Sequence, residues 1–287
     1  MKTKIVNFIR RFFSLFTVGI VSSTRQISDL QLLAYWQSLK AATLNPLNKH
    51  GAKYFSQNDE DGITLEVFRR IGLEHGVFAE FGVGDGSENN SLVLLASGWK
   101  GFWVGGEGLC FNHRSNPNHF SFHQMWIDRE NILSAYNEGL SSIGESSVDL
   151  LSLDFDGNDY YLIEQLLIAG VSPKIFIVEY NSKFPPPIRW KIAYDREHAW
   201  DFDDYFGASL AEFDELFKKF GYALVCCNFS GSNAYFVKNE LMSFFADVPR
   251  DLGDIFYGPQ YYLLQSYGHR PSSKTIEQFI EKLGDKI

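Results

Sequence analysis

Residues 78–90 read FAEFGVGDGSENN and contain the pattern that decides the fold. An apolar strand ends near Glu80, three alternating glycines follow at Gly82, Gly84 and Gly86, and a polar segment that can start a helix comes next. Glycine has no Cβ and tolerates positive φ, so it suits a sharp turn or a close backbone approach to a ligand. A strand, such a turn and a helix N-terminus form the first unit of a nucleotide-binding α/β sheet.

The spacing of the glycines favours one class of nucleotide. The dinucleotide fingerprint G-x-G-x-x-G, read from Gly82, requires its third glycine at position 87, where the chain has Ser87. The observed pattern, E-x-G-x-G-x-G, resembles motif I of the class I S-adenosylmethionine-dependent methyltransferases. This resemblance implies that Glu80 faces the amino-acid moiety of the cofactor and that the glycines let the loop pass beneath it. Another nucleotide, or a glycine-rich turn without a ligand, stays open as an alternative.

Composition limits the classes of protein. The chain has 287 residues, of which 45% are hydrophobic, enough for one large α/β domain with a full core. The net charge of −9 disfavours nucleic acid as a partner, because duplex-binding proteins usually present a basic face. The three cysteines include no C-x-x-C pair, which indicates reduced thiols and a cytoplasmic protein.

The first 50 residues are predicted to form an amphipathic helical extension. Residues 1–24 combine Lys and Arg with apolar residues near helical spacing, but their uncharged run is shorter than the roughly 20 residues that span a bilayer. One interpretation is peripheral contact with the inner face of the membrane. The other is a helix that packs on the domain or on a second copy of the chain in a homo-oligomer. Residues 25–45 predict a second helix.

The region 51–240 is predicted to be a Rossmann-like α/β domain with a seven-stranded, mostly parallel sheet and a terminal antiparallel hairpin. Residues 55–72 form a helix that leads into the first strand and could cover a cofactor pocket. Residues 241–287 are predicted to be a tail with one helix. The predicted strands are Val77–Phe81, Gly101–Val104, Phe120–Ile127, Ser147–Leu153, Lys174–Val178, Tyr222–Asn228 and Asn233–Val237.

Two acidic residues follow the second and third predicted strands. Glu107 lies at the end of the second strand, where a carboxylate commonly accepts hydrogen bonds from both ribose hydroxyls. Glu107 is therefore the predicted ribose ligand. Asp128 ends the third strand and is a predicted adenine contact, although a plain helix cap explains it equally well.

Polar clusters end the fourth and fifth strands. Asp154 and Asp156 follow the fourth strand, and Glu179 and Asn181 follow the fifth. The carboxyl ends of neighbouring parallel strands meet at one edge of the sheet, so Asp154, Glu179 and Asn181 are predicted ligands for Mg²⁺ or another divalent cation. Asp156 and Asp159 are further candidate ligands or bases. The alternative is a turn-and-cap sequence without a metal.

The segment 182–206 is long, aromatic and rich in proline, and an irregular segment of this length inside a domain is usually functional. His198 lies in it, near Trp190, Tyr194 and Trp200. Because imidazole titrates near neutral pH, His198 is a candidate base, and the aromatic rings could stack on a sugar. A loop histidine packed on its neighbours is the alternative.

The chain contains the segments EFGVGDG (80–86), GFWVGGE (101–107), LSLDFDGND (151–159), IVEYN (177–181), GASLAEF (207–213) and GYALVCCNFSGSNAYFV (221–237). Together they resemble FkbM-like class I methyltransferases, and this resemblance implies that Asp154 faces the acceptor. The resemblance implies S-adenosylmethionine as cofactor and O-methylation of a sugar hydroxyl on a glycan, polysaccharide or glycolipid precursor. The predicted cation site is also similar to that of catechol-type O-methyltransferases. A non-catalytic scaffold of the same fold and another nucleotide-dependent sugar-modifying enzyme are the alternatives.

Overall fold

The computed structural model describes residues 2–112, 116, 119–261 and 271–282, without the side chains of residues 2–20, 25 and 282. The chain divides into two units, Met1–Thr43 and Leu44–Ile287. The first unit is one continuous helix, α1 (Lys2–Ala42), where the sequence predicts two. No proline interrupts this stretch, so nothing in the backbone forces a break.

The predicted amphipathic face of residues 1–24 falls mostly on side chains outside the described residues, so it stays a prediction. Within the described part of the chain, no helix has the length and apolarity needed to cross a bilayer. On α1, Val21, Ile27 and Leu30 are exposed.

The second unit is built on a seven-stranded sheet with the order β3-β2-β1-β4-β5-β7-β6. Neighbours from β3 to β5 are parallel, and β7 runs antiparallel to both β5 and β6. The predicted mostly parallel Rossmann-like sheet with a terminal antiparallel hairpin is therefore confirmed. The strands are β1 (Val77–Phe81), β2 (Lys100–Gly105), β3 (Phe120–Gln124), β4 (Leu150–Leu153), β5 (Ile175–Glu179), β6 (Tyr222–Cys227) and β7 (Asn233–Lys238).

Helices join the strands and cover both faces of the sheet. They are α2 (Glu60–Ile71), α3 (Leu92–Ala96), α4 (Ile132–Ile143), α5 (Asp159–Ile168), α6 (Leu210–Lys219), α7 (Leu252–Ile255) and α8 (Ser273–Lys282), with 3₁₀ turns at Asn48–His50 and Asn239–Phe245.

The strands are apolar on both faces because both faces are covered. In β1, Ala79 and Phe81 join one apolar cluster, whereas Phe78 joins the other. The same alternation holds in β5, where Phe176 and Ile177 belong to different clusters. The period of two expected for a strand thus divides the core into two layers around the sheet.

The first residues of the second unit are bound to the sheet edge. Asn45 donates through Nδ2 to the carbonyl of Val225 at 2.7 Å, and Asn48 does the same to Cys227 at 2.7 Å. Both asparagines are fully buried. Residues 44–50, assigned to the extension from the sequence, therefore lie within the second unit.

Candidate functional site

A cavity of about 360 Å³ opens at the carboxyl edge of the sheet, beside the glycine loop. Pockets for small molecules and cofactors typically measure about 300–1,000 Å³. Twelve residues form its wall: Gln57, Glu80, Gly82, Val83, Gly84, Asp85, Ser87, Glu88, Asn89, Asn90, Asp154 and Asn233. The glycine motif and the residue after β4, singled out from the sequence, thus share one cavity.

The three glycines serve different purposes. All three have positive φ: +82° at Gly82, +45° at Gly84 and +81° at Gly86. A Cβ at Gly82 would lie 1.6 Å from the carbonyl oxygen of Asp154, so only glycine fits between the ends of β1 and β4. A Cβ at Gly86 would press on Leu109 at 2.8 Å, whereas one at Gly84 would meet no atom within 4 Å. Gly84 is therefore the glycine whose surroundings are open enough for a ligand to approach.

Glu80 lies in the cavity wall but its carboxylate is engaged with the start of α3. Oε1 accepts the N–H of Asn90 at 2.8 Å, and Oε2 accepts the N–H of Ser91 at 2.9 Å as well as the Ser91 hydroxyl. These N–H groups belong to the chain entering the helix, where donors lack partners within the helix. Burial raises the pKa of Glu80, and the bonds from Ser91 and Asn90 oppose that shift.

Glu107 follows β2 by two residues and is exposed. The exposed indole of Trp126 packs against the neighbouring Gly106, where an added Cβ would lie 2.7 Å from it. Glu107 and Trp126 therefore border the carboxyl edge next to β1, the place predicted for a ribose. The ribose contact itself stays a prediction.

Asp128 has both carboxylate oxygens occupied. Oδ1 accepts the N–H groups of Glu130 and Asn131 at 2.8 and 3.0 Å, just before α4. Oδ2 pairs with the guanidinium of Arg196 at 2.7 Å. These contacts match the helix-cap alternative, and the adenine contact stays a prediction without a free oxygen to support it.

Three carboxylates converge where β4 and β5 end. One ligand oxygen from each of Asp154, Asp156 and Glu179 lies within 4.8 Å of the others, and we call these three residues the acidic triad. Asp156 adopts positive φ, +54°, which is uncommon outside glycine, asparagine and aspartate. None of the ion pairs found among the described residues involves the triad. The predicted pairing of Asp154 with Glu179 at one edge of the sheet is thus observed, with Asp156 as the third member.

Burial and neighbouring negative charges raise the pKa values of two members of the acidic triad. Burial, followed by the charges of Asp156 and Asp159, raises the pKa of Asp154 well above its ordinary value. Burial and the charge of Asp154 do the same to the pKa of Glu179. The buried Oε2 of Glu179 has no hydrogen-bond partner among the described residues. Adjacent carboxylates in such a site either share a proton or bind a cation.

Asn181, the third predicted metal ligand, holds the segment 182–206. Its Nδ2 donates to the carbonyls of Asp204 and Phe206 at 2.9 and 3.0 Å, and its Oδ1 accepts the N–H of Lys183 at 3.2 Å. It therefore joins the two ends of the segment. The metal role of Asn181 stays a prediction, and its contacts favour a structural one.

The segment 182–206 is fixed onto the carboxyl edge by polar contacts along its length. Asn158, which precedes α5, exchanges two hydrogen bonds with Asp195, and Tyr161 donates to the carbonyl of Ile192 at 2.7 Å. Arg196 adds the ion pair to Asp128. These contacts give a long irregular segment a defined position over the end of β4.

His198 lies against the loop that carries Asp156. A Cβ at Gly157 would lie 2.5 Å from its Cδ2, so the ring packs directly on this backbone. Its ring lies 6.1 Å from that of Tyr205, and its Nε2 is buried without a hydrogen-bond partner in the described part of the chain. The segment thus brings the predicted base next to the residue that follows Asp156.

Sequence reasoning missed two residues of the cavity wall, Gln57 and Asn233. Gln57 lies just before α2, and Asn233 belongs to a polar network between the start of α2 and the β6–β7 turn, in which Glu60 accepts from Asn228 at 2.6 Å and from Asn233 at 3.1 Å. Glu60 is fully buried, although in the sequence it reads as an exposed acid at a helix N-terminus. Only the expectation that residues 55–72 could cover the pocket pointed in this direction.

No family model matches the sequence. No curated protein matches it either.

Among solved structures, one similar to this chain is the "Putative hemolysin" of Streptococcus thermophilus, with a TM-score of 0.39 and 9% identity over 82% of this chain and 77% of that one. Another is precorrin-6y C5,15-methyltransferase from Geobacter metallireducens GS-15, with a TM-score of 0.33 and 13% identity over 65% of this chain and 90% of that one. Likeness at this level says nothing about activity.

Proposed function

We propose that this protein is an S-adenosylmethionine-dependent O-methyltransferase that acts on a sugar hydroxyl of a glycan, polysaccharide or glycolipid precursor. The observation that supports it most is the acidic cavity that the glycine loop shares with Asp154. The cofactor supplies an electrophilic methyl group, and the residues around it bind it, orient the acceptor and remove a proton. The sugar acceptor rests on the resemblance to FkbM-like enzymes.

The charge of the cavity wall favours this cofactor over a dinucleotide. Four carboxylates lie in the wall, at Glu80, Asp85, Glu88 and Asp154. Among the described residues of that wall, none is Lys, Arg or His. A pyrophosphate carries negative charge and would be repelled there, whereas S-adenosylmethionine carries a sulfonium and an ammonium. NAD and nucleotide sugars are therefore poor ligands for this wall.

The proposed roles of the other predicted residues follow from their positions at the carboxyl edge of the sheet. Glu107, an exposed acid, is proposed to accept hydrogen bonds from the ribose hydroxyls. The acidic triad is proposed to hold Mg²⁺ or a similar divalent cation, because its oxygens and spacing suit such an ion. Asp154 and Asp156 then lie beside the acceptor hydroxyl.

His198 is proposed as the base that removes the acceptor proton. His198→Ala should lower kcat about 10²- to 10⁴-fold, because a positioned base typically contributes that much, and should leave cofactor affinity unchanged. The measurement is the initial rate of methyl transfer to a sugar acceptor found by screening. His75→Ala is the control, since His75 is exposed and precedes β1 at the opposite edge. An unchanged kcat would assign His198 a packing role.

Residues 1–24 are proposed to attach the protein to the inner membrane surface, because their basic and apolar composition suits an interface. Deleting them should move the protein from the vesicle-bound to the soluble fraction in sedimentation with anionic liposomes. Neutral liposomes are the control, since the basic residues should bind them more weakly. If the full-length and the shortened protein sediment equally with anionic liposomes, the helix is better explained by packing on the domain or on a second copy of the chain.

The proposed function is tested by calorimetric titration with S-adenosylhomocysteine, with NAD as the parallel ligand. We expect micromolar binding of the first and no binding of the second. Binding of NAD alone would favour a nucleotide-dependent enzyme of another class, and binding of neither would favour a scaffold.

A further inference from the structure

Asn233 begins β7 at the carboxyl edge of the sheet, where it pairs with Glu179 across the antiparallel ladder. The residue lines the cavity and is 4% exposed. It reaches the wall from the hairpin, on the side of β4 opposite the glycine loop. The cavity is therefore bounded by two regions of the chain that are far apart in sequence.

The orientation of the Asn233 amide follows from its partner. The Nδ2 donates to Oε1 of Glu60 at 3.1 Å, and a carboxylate accepts hydrogen bonds, so the amide must present its nitrogen to Glu60. The Oδ1 consequently points away from Glu60. This oxygen is buried and accepts no hydrogen bond from any described residue. A buried acceptor without a donor is costly, which indicates that a ligand supplies the donor.

Neighbouring contacts hold Asn233 in this position. Glu60 also accepts from the backbone N–H of Asn58 at 2.8 Å and from Nδ2 of Asn228 at 2.6 Å. The Oδ1 of Asn228 accepts the backbone N–H of Asn233 at 2.9 Å. Both the backbone and the side chain of Asn233 are thus fixed before any ligand binds, which lowers the entropic cost of binding.

The same cavity needs an acceptor for an ammonium group. The resemblance to motif I assigns Glu80 to the amino-acid moiety. The carboxylate of Glu80, however, already accepts three hydrogen bonds from Asn90 and Ser91. Asn233 offers an acceptor in the same wall, which carries carboxylates and no described cation. We propose that Asn233, held by Glu60, binds the ammonium of the cofactor's amino-acid moiety. This proposal rests on the proposed function and assigns one end of its cofactor.

The test compares three ligands by calorimetric titration of wild type and Asn233→Leu. S-adenosylhomocysteine carries the whole amino-acid moiety, S-adenosyl-3-thiopropylamine keeps the ammonium but lacks the carboxylate, and 5′-methylthioadenosine lacks both. Asn233→Leu should weaken the first two about 10- to 100-fold, the loss expected for a hydrogen bond to a charged group, and should leave the third within about twofold.

Asn45→Ala is the matched control, because it removes another buried asparagine side chain, which donates to the carbonyl of Val225 and lies outside the cavity wall. It should leave the ratio of affinities for S-adenosylhomocysteine and 5′-methylthioadenosine unchanged. That ratio is taken within each variant, so it does not depend on how much of the protein is folded. If Asn233→Leu is unstable, Asn233→Ser provides a smaller change at the same position.

Equal weakening of all three ligands by Asn233→Leu, or unchanged binding of S-adenosylhomocysteine, would overturn this proposal and leave the proposed function standing. Loss confined to S-adenosylhomocysteine would also overturn it, because Asn233 would then contact the carboxylate. Wild type that binds none of the three would overturn the proposed function and this proposal together.

Discussion

Gly84→Val is expected to abolish binding of S-adenosylhomocysteine while the domain stays folded. A Cβ at Gly84 meets no atom within 4 Å, so the protein can accommodate the side chain, but Gly84 lies in the cavity wall and the added methyl groups take space that the ligand needs. The positive φ of +45° adds strain of about 1–3 kcal/mol, which lowers stability without unfolding the domain. Calorimetric titration and thermal melting of the same sample measure both effects.

Two other glycines separate the effect on binding from the effect of strain. Gly98→Val introduces a side chain at φ +85°, also in open space, but outside the cavity wall. It should lower stability by a similar amount and leave the affinity for S-adenosylhomocysteine unchanged. Gly82→Ala should prevent folding, because its Cβ would lie 1.6 Å from the carbonyl oxygen of Asp154. Retained binding in Gly84→Val would contradict the assignment of this loop to the cofactor.

Glu179→Gln is expected to remove stabilisation by divalent cations and to make the metal-free protein more stable at pH 8. If the acidic triad binds Mg²⁺ or Mn²⁺, a cation at 100 times its Kd stabilises wild type by about 2.7 kcal/mol. That corresponds to a rise in Tm of about 5–10 °C for a domain of this size. Glutamine removes the charge of one ligand, so the rise should largely disappear in differential scanning calorimetry.

The pH dependence of the same variant follows from the raised pKa of Glu179. A carboxyl group whose pKa is higher in the folded state holds its proton more tightly there, so its contribution to stability is present at low pH and is lost as the pH rises through the folded pKa. Each pKa unit corresponds to about 1.4 kcal/mol. Metal-free Glu179→Gln should therefore exceed wild type in stability at pH 8, with the difference vanishing below the ordinary glutamate pKa.

Glu107→Gln is the control for the triad, because Glu107 is an exposed acid outside it. Mg²⁺ should raise the Tm of this variant by as much as it raises the Tm of wild type. If cations stabilise wild type and Glu179→Gln equally, or if chelator leaves methyl transfer unaffected, the triad is not a required metal site. A proton shared between Asp154 and Glu179 would then be the remaining explanation of how these two carboxyl groups lie together.

The strands, and the polar residues at their carboxyl ends, were readable from sequence because they depend on local patterns. Period-two apolar runs define the strands, and the glycines after Glu80 can only be a tight turn. Parallel strands bring their carboxyl ends to one edge, so polar residues after β4 and β5 had to be neighbours. That argument correctly brought Asp154 and Glu179 together.

Tertiary structure alone decided which atoms are available in the site. Glu80 turned out to bind the start of α3, and Asn181 to hold the segment 182–206, because each has backbone groups within reach that its sequence neighbours do not reveal. Hydrogen bonds select partners by distance in space, and a motif records only spacing along the chain.

The sequence by itself therefore determined the sheet, its glycine turn and the acidic carboxyl edge, since these follow from backbone sterics and from the alternation of side chains along a strand. Only the tertiary structure placed His198 on the loop after β4 and Asn233 in the cavity wall. Both come from segments far along the chain, and their positions depend on packing and on buried polar networks that form only when the whole domain has folded.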